Sequence, residues 1–327
     1  KPEKRKIIAR ERSYHGVTVA AASLTGLPVT QNHFDLPVDA LGILRTDHPH
    51  YYRGKLEGET EIQFVDRIVG NLENLIIAED PSTIAAFIVE PITGASGVIV
   101  PPDGYYEGIQ NVLDKYGIMF WADEVITGFG RTGNDFGCTT MEIKSPDMMT
   151  FAKQLSSAYM PISASAIRRD VYEAMIDQSA SAGAFGHGYT YSGHPVACAV
   201  ALRVLEIYDR DEIFDRASTA GKYLQEQLSQ FSSHPLVGEV RGSGLLAALE
   251  LVPNKELNHQ FKDGKVGGVA QKMAQDNGLL IRTVAGSSIG ICPPLIITNN
   301  QIDELIDKLG DALDKTFQYC QTYNLLT

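Results

Sequence analysis

The fold of this 327-residue chain is decided by a stretch that runs Phe120-Trp121-Ala122-Asp123-Glu124-Val125. It places an acidic group directly after a short apolar run. A second apolar run, Met148 to Phe151, leads in the same way to Lys153. A charge at the end of such a run is costly to bury without a partner. Asp123 and Lys153 are therefore candidates to hold one ligand between them.

Other apolar runs extend the pattern on both sides of this stretch. They predict short strands over residues 7–10, 84–89, 118–121, 148–151 and 162–167, and helical spacing covers Tyr105 to Tyr116. Strand, helix and strand at roughly 30 residues per unit are typical of a largely parallel sheet. Glu90, Asp123 and Lys153 then follow the carboxyl ends of strands. Open α/β sheets bind their ligands along that edge.

The pattern changes near Pro235. Two strands are predicted between Val237 and Val252, and a shorter pair at residues 279–283 and 289–292. A helix begins at about Asn299. We predict an α/β protein with a large domain of mostly parallel sheet over residues 1–209 and a smaller carboxyl-terminal α+β domain over residues 210–327. A helix from Pro195 to Tyr208 is expected to link them.

Composition excludes several classes of partner. The net charge of −12 and the pI near 5.1 argue against nucleic acid or an anionic membrane surface. No apolar run is long enough to span a bilayer. The four cysteines are scattered, which predicts free thiols in a reducing cytoplasm and no metal site. The spacing of His15, His187 and His194 indicates structural histidines. The chain also starts as if within a domain, so we expect a fragment.

A lysine and an aspartate at neighbouring strand ends suit pyridoxal phosphate. The cofactor needs a lysine for a reversible imine and an anion beside the pyridine nitrogen, so that the ring can accept electrons. Lysine serves because burial and cationic neighbours can lower its pKa into the nucleophilic range. Asp123 and Lys153 match both requirements by residue type and position.

Six motifs then carry a resemblance to a known family along the whole chain. The sequence resembles the class III aminotransferases, which are fold-type I pyridoxal phosphate enzymes. The motifs, in order, are Tyr14-His15-Gly16, Glu90-Pro91, Ala122-Asp123-Glu124-Val125, Gly128-Phe129-Gly130-Arg131-Thr132-Gly133, Ala152-Lys153 and the run from His187 to Pro195.

The resemblance implies a role for each residue at the cofactor. Lys153 would form the internal aldimine, and Asp123 would pair with the pyridine nitrogen. Tyr14 would stack on one face of the ring and Val125 would pack against the other.

The same resemblance implies an assembly and further cofactor contacts. Thr190 would reach the phosphate in the neighbouring subunit, which implies a homodimer or a dimer of dimers. Glu90 matches an acid near the cofactor, and His15 shares the Tyr14 loop.

Two positions narrow the implied substrates. Arg282 is similar to the mobile arginine that binds a substrate carboxylate through two parallel hydrogen bonds. Family members that use 2-oxoglutarate carry a glutamate soon after Glu-Pro, where this chain has Ala95. The resemblance therefore favours transfer from an amine or an ω-amino acid to pyruvate. The identity of the amine donor stays open.

Three alternatives stand beside this reading. An aminomutase would move the amino group within one molecule. A homologue that has lost catalysis is suggested by Gln154, where glycine is usual, and by the family's Ser-Gly-Ser phosphate loop, which would precede Lys1. A nicotinamide enzyme is suggested by Gly128, Gly130 and Gly133, but we reject it because turn residues follow instead of a helix start.

Overall fold

The computed structural model describes residues 3–256, 259–262 and 264–326. The outermost residues of the two predicted domains, Lys1, Pro2 and Thr327, lie outside this range. Within it the chain forms two sheets. Their strands are β1 (Lys6–Arg10), β2 (Ile43–Thr46), β3 (Ile84–Val89), β4 (Met119–Asp123), β5 (Met148–Phe151), β6 (Ala164–Ile167), β7 (Val237–Ser243), β8 (Leu246–Leu251), β9 (Arg282–Val284) and β10 (Ser288–Ile291).

Helices separate most of these strands. They are α1 (Val19–Leu24), α2 (Pro28–Gln31), α3 (Tyr51–Gly54), α4 (Glu61–Ala78), α5 (Tyr105–Tyr116), α6 (Gly137–Thr140), α7 (Arg169–Ala182), α8 (Pro195–Arg210), α9 (Ile213–Ser229), α10 (Val266–Asp276) and α11 (Asn299–Thr322). Short 3₁₀ turns lie at Pro81–Thr83, Lys153–Ser156 and Gln230–Ser233. Among the helices of the described residues, none has the length and apolarity that crossing a bilayer requires.

The first sheet has the order β2-β1-β3-β4-β5-β6. Its neighbouring strands are parallel except for β6, which runs antiparallel to β5. The prediction of a mostly parallel mixed sheet is therefore confirmed. The last strand starts at Ala164 rather than at Ile162, because the ladder with β5 begins only where Ala164 faces Phe151.

Alternate residues of this sheet face two separate layers. Ile8 and Phe87 pack with α4 and α5 in one core, while the next residues along, Ala9 and Ile88, pack with Leu24 of α1 in another. A capping box at Thr60 starts α4. Burying each large aliphatic side chain of this core stabilises the fold by about 1.5–3 kcal/mol. These two layers fix the direction of the strands, and hence the position of their carboxyl ends.

The second sheet has the order β7-β8-β10-β9 and is antiparallel. Helices α9, α10 and α11 contribute to its core, together with Val204 and Tyr208 of α8. The boundary between residues 209 and 210 stays a prediction. The predicted strand at residues 279–283 begins in fact at Arg282. The Leu279 N–H donates to the carbonyl of Ala274 near the end of α10, so it does not pair with a strand. The ladder with β10 begins only at Arg282.

Candidate active site

Three candidate residues lie where parallel strands of the first sheet end. Glu90 follows β3, Asp123 is the last residue of β4, and Lys153 comes two residues after β5. The ladder places Asp123 opposite Thr150 on the neighbouring strand. The carboxyl edge predicted from the sequence therefore carries these groups side by side.

The Asp123 carboxylate is buried and held on both oxygens. Its Oδ2 lies 2.7 Å from Nδ1 of His15, and its Oδ1 accepts a hydrogen bond from the Val125 N–H at 3.1 Å. The His15 side chain is 2% exposed, and its Nε2 is buried with no hydrogen-bond partner among the described residues. A histidine that fixes Asp123 is a contact that sequence spacing does not reveal.

Glu90 joins two loops of the site. Its Oε1 accepts the Tyr14 N–H and its Oε2 accepts the Gly94 N–H, each at 3.0 Å. Burial raises the pKa of Glu90, the His15 ring opposes that shift, and the charge of Asp123 adds to it. The structure thus places Glu90 as a tie between the Tyr14 loop and the loop that carries Ala95.

Arg10 and Tyr106 hold the backbone at Glu90 and Pro91 by hydrogen bonds. The sequence analysis did not identify either residue as part of the site. Arg10 is completely buried, and its Nη2 donates to the Glu90 carbonyl at 2.7 Å. The Tyr106 hydroxyl donates to the Pro91 carbonyl at 2.8 Å. The available signal was an arginine at the end of an otherwise apolar strand, since a buried charge requires partners.

Lys153 stands in an unusual backbone conformation. Its φ of 42° lies in the left-handed region, which costs a residue other than glycine about 1–3 kcal/mol. The hydroxyl of Tyr208 donates to the Gln154 carbonyl at 2.8 Å and holds the turn after the lysine. The Lys153 side chain is exposed and makes no ion pair with any described residue. It is therefore free to react with a ligand.

One cavity brings three of the candidates together. Tyr14, Lys153 and Arg282 line a space of about 470 Å³. Arg282 is exposed at the start of β9. Ala95, Val98, Ile126, Leu246, Val284 and Ile291 contribute to the walls. The cavity thus combines a lysine, an arginine and an aromatic ring with apolar walls.

Two predicted cofactor residues, Val125 and Thr190, make fewer contacts with the rest of the site than Asp123 and Glu90 do. Val125 is half-buried and contacts the site through its N–H bond to Asp123. Thr190 is exposed in a turn, and no side-chain hydrogen bond joins it to another candidate within the described part of the chain. His187 is also exposed, and its ring contacts those of Phe185 and Tyr189. Its role as a structural histidine stays a prediction. Lys144, which precedes β5, is exposed in a loop.

The glycine-rich run after Asp123 forms turns, as predicted. Buried Glu124 holds the segment that follows the run, where its carboxylate accepts the N–H groups of Gly137 at 2.9 Å and Cys138 at 2.7 Å at the start of the short helix α6. Arg131 donates to the carbonyls of Leu245 and Pro293 in the second region, at 3.0 and 2.6 Å. The run therefore fastens the two sheets to each other instead of opening a helix towards a dinucleotide.

The family described as "Aminotransferase class-III" matches residues 1–313. The chain belongs to the class-III aminotransferase family. This agrees with the parallel sheet, the neighbouring Asp123 and Lys153, and the separate antiparallel sheet. Class-III aminotransferases use pyridoxal phosphate.

Individual aminotransferases share most of this chain. A protein named "Probable gamma-aminobutyrate transaminase 3, mitochondrial", from Oryza sativa subsp. indica, is 50% identical over 97% of the chain. "Gamma aminobutyrate transaminase 1, mitochondrial", from Solanum lycopersicum, is 49% identical over the same share. In both cases the chain spans 61% of the relative's length.

Solved aminotransferase structures superpose closely. The ω-transaminase of Pseudomonas jessenii in complex with PMP has a TM-score of 0.94 and 48% identity, with 97% of this chain and 70% of that chain covered. A transaminase with L-alanine gives the same TM-score and identity, covering 97% and 74%. The fold-type I architecture is thereby confirmed.

The residues at the sheet edge fit pyridoxal phosphate. The buried Asp123 carboxylate accepts a single hydrogen bond on each oxygen from described residues, which leaves acceptor capacity for a protonated ring nitrogen. Lys153 supplies an unpaired amine at the next strand end, and Tyr14 supplies a ring for stacking. This donor set is the one that the cofactor requires.

Proposed function

We propose that this chain moves an amino group from an amine or ω-amino acid to a keto acid, and that pyruvate is the acceptor. The observation that carries the proposal is the cavity with Lys153 and Arg282 in its wall, next to the strand end where Asp123 is held by His15. A reactive amine and a carboxylate-binding guanidinium are what such an exchange needs.

Residues at the carboxyl edge of the first sheet and in the Tyr14 loop would hold the cofactor. Asp123 would pair with the ring nitrogen, with Tyr14 and Val125 on either side of the ring. Pyridoxal phosphate supplies an aldehyde that condenses with amines and a ring that takes up the electrons released with the substrate proton.

Lys153 would bind the cofactor and then act as the proton carrier. Its Nζ would take the proton from the carbon that bears the amine and deliver it to the C4′ carbon of the cofactor, as a general base and then a general acid. In the second half-reaction the same transfer would run in reverse. His15 keeps the Asp123 carboxylate in one orientation through the 2.7 Å contact. The net result is conversion of the amine to a carbonyl compound and of the keto acid to an amino acid.

Arg282 would select the substrates. A guanidinium can bind a carboxylate in bidentate fashion, and it lines the same cavity as Lys153. The relatives named gamma-aminobutyrate transaminases support an ω-amino acid as donor. Ala95 adds no charge to the wall, which leaves Arg282 available to the short acceptor pyruvate.

A homodimer and a cytoplasmic location belong to the same proposal. Thr190 lies in an exposed segment with Phe185, Tyr189 and Tyr191, of which Tyr189 is 75% exposed. We infer that a second copy covers this segment and that Thr190 contacts the phosphate there. Sedimentation of the cofactor-loaded chain at several concentrations tests the dimer.

The test of function is an exchange assay on the chain loaded with pyridoxal phosphate. 4-Aminobutyrate, β-alanine and an aromatic amine are each supplied with pyruvate or with 2-oxoglutarate. We expect alanine to form from pyruvate faster than glutamate forms from 2-oxoglutarate. A faster reaction with 2-oxoglutarate would contradict the acceptor, and conversion of a donor without any keto acid would indicate an aminomutase.

A further inference from the structure

Arg241 is a buried arginine outside the catalytic residues. It lies on β7, with 6% of its side chain exposed. Its Nη1 contacts Glu239 at 2.6 Å and Glu250 at 2.7 Å. Its Nε donates to the Gly97 carbonyl at 2.7 Å, and its Nη2 donates to the Ser288 hydroxyl at 3.3 Å. One guanidinium therefore has partners on its own strand β7 and on three other segments of the chain, which are β8, β10 and the loop with Gly97.

The partners of Arg241 belong to two walls of the cavity. Gly97 lies in the loop that contributes Ala95 and Val98 to one wall. Ser288 lies on β10, opposite Val284 of β9, which lines the other wall with Arg282. Arg241 thus connects the Ala95 loop with the hairpin that presents Arg282.

The space between the two walls is already tight at this point. A Cβ added to Gly97 would lie 2.9 Å from Nη2 of Arg241 and 3.4 Å from Cβ of Ala285. Gly97 has a φ of +106°, which favours glycine. The loop therefore rests directly on the guanidinium, and a shift of Arg241 would move the loop.

His50, Glu239 and Glu250 have ligand atoms close enough for a metal ion. We interpret them as ion-pair partners, because Nη1 of Arg241 contacts both carboxylates at hydrogen-bond distance. His50 Nε2 lies 2.9 Å from Glu239, and Arg53 Nε donates to Glu250 at 2.8 Å. The carboxylates hold Arg241 in one orientation, so that its remaining N–H groups point at the two walls.

We propose that Arg241 is a positioning residue that sets the separation of Arg282 from the Ala95 loop and so favours substrates with a carboxylate. The inference rests on the proposed aminotransferase function. A guanidinium suits the task because its donors have fixed directions in one plane, whereas an ammonium group offers a point charge. Arg241→Lys keeps a cation beside Glu239 and Glu250 but loses the fixed geometry.

The experiment compares two donors in the cofactor-loaded chain. Single-turnover rates are measured by cofactor absorbance for 4-aminobutyrate, which has a carboxylate, and for isopropylamine, which has none. In Arg241→Lys we expect the ratio of the two rates to fall roughly tenfold, since small displacements at a binding group are costly in rate. The affinity for pyridoxal phosphate should stay unchanged. Arg67→Lys is the matched control: it makes the same change at an arginine that pairs with Glu59 and does not line the cavity, and the ratio should not move.

Binding provides a readout that does not depend on turnover. The dissociation constant for butyrate, measured by calorimetry on the loaded chain, should rise roughly tenfold in Arg241→Lys. If Arg241→Lys does not fold, Ser288→Ala replaces it. That variant removes the Nη2 contact and the hydrogen bond that the Ser288 hydroxyl donates to Glu250 at 3.1 Å, while Arg241 keeps its bond to Gly97. It should shift the rate ratio and the butyrate affinity in the same direction by a smaller factor.

The outcomes separate the two proposals. Equal losses with both donors, or an unchanged ratio together with unchanged butyrate binding, would overturn the role of Arg241 while leaving the aminotransferase function standing. Failure of the unaltered chain to exchange either donor would overturn the proposed function, and this inference with it.

Discussion

Charged side chains differ in their pairing between the cavity at the sheet edge and the ion-pair network around Arg241. The network consists of His50, Arg53, Glu239, Arg241 and Glu250, and each carboxylate in it has at least two cationic or hydrogen-bonding partners. In the cavity, Lys153 and Arg282 are exposed and form no ion pair with a described residue. Charges that support the fold are neutralised within the chain, whereas charges left for ligands are not.

The largest expected effect is the loss of exchange activity when Lys153, an open charge of the cavity, is removed. Lys153→Ala should abolish exchange, by roughly 10⁴-fold or more, because the variant loses both the cofactor-binding amine and the proton carrier. Stability should change little, since the side chain has no partner to lose. Exchange rates and the visible spectrum of the loaded chain measure this. Lys144→Ala, which removes an exposed lysine from a loop, should retain full activity. A Lys153→Ala variant as active as this control would disprove the assignment.

Asp123→Asn should lower exchange by the order of 10³-fold, since a neutral amide no longer favours a protonated ring nitrogen. The absorbance of the bound cofactor and its dependence on pH report the change directly. The control is Glu124→Gln, which alters the adjacent buried carboxylate. It should weaken stability without changing the cofactor spectrum, and a spectrum that responds equally to both variants would count against a special role for Asp123.

Within the network, Arg241→Met should reduce the free energy of unfolding by about 3–5 kcal/mol. It leaves the buried Glu250 and the half-buried Glu239 with too little positive charge. Urea unfolding followed by circular dichroism measures the loss. The comparison variant is Arg210→Met, whose pairing with Asp211 lies at the surface. Its stability should be close to that of the unaltered chain, and similar losses in both variants would refute the distinction between buried and exposed pairs.

The smallest expected effect concerns pH. Burial lowers the pKa of His48 to about 3, and the charges of Arg12, His50 and Arg10 add to the shift. The unfolded chain therefore binds the proton more readily, and the stability contributed by neutral His48 is lost as pH falls from about 6.5 towards 3. In His48→Phe, the loss of stability between pH 7 and pH 5 should be smaller by about 2 kcal/mol.

Urea midpoints at the two pH values test this. Exposed His33 provides the control, because His33→Phe should leave the pH dependence unchanged. The same pH dependence in His48→Phe as in the unaltered chain would show that His48 is not the group responsible.

The sequence by itself determined where these strands lie and which charged residues follow them. Short runs of mostly apolar residues favour strands of a covered sheet, so the bounds of Ile84–Val89, which is mostly buried, and of Met148–Phe151, which is half-buried, were predictable to the residue. The charges that end these runs, Glu90, Asp123 and Lys153, were then expected at one edge, because parallel strands end together.

Tertiary structure alone decided what those charges contact. His15 reaches Asp123 across 108 positions of the chain, and Arg241 reaches Gly97 across 144. Such contacts depend on how separate layers pack, and no local periodicity encodes them. The start of β9 was also misplaced from sequence, since its ladder with β10 begins only where Arg282 faces Gly290. Sequence thus determined which groups are chemically available, and packing determined which of them are restrained and which stay open to a ligand.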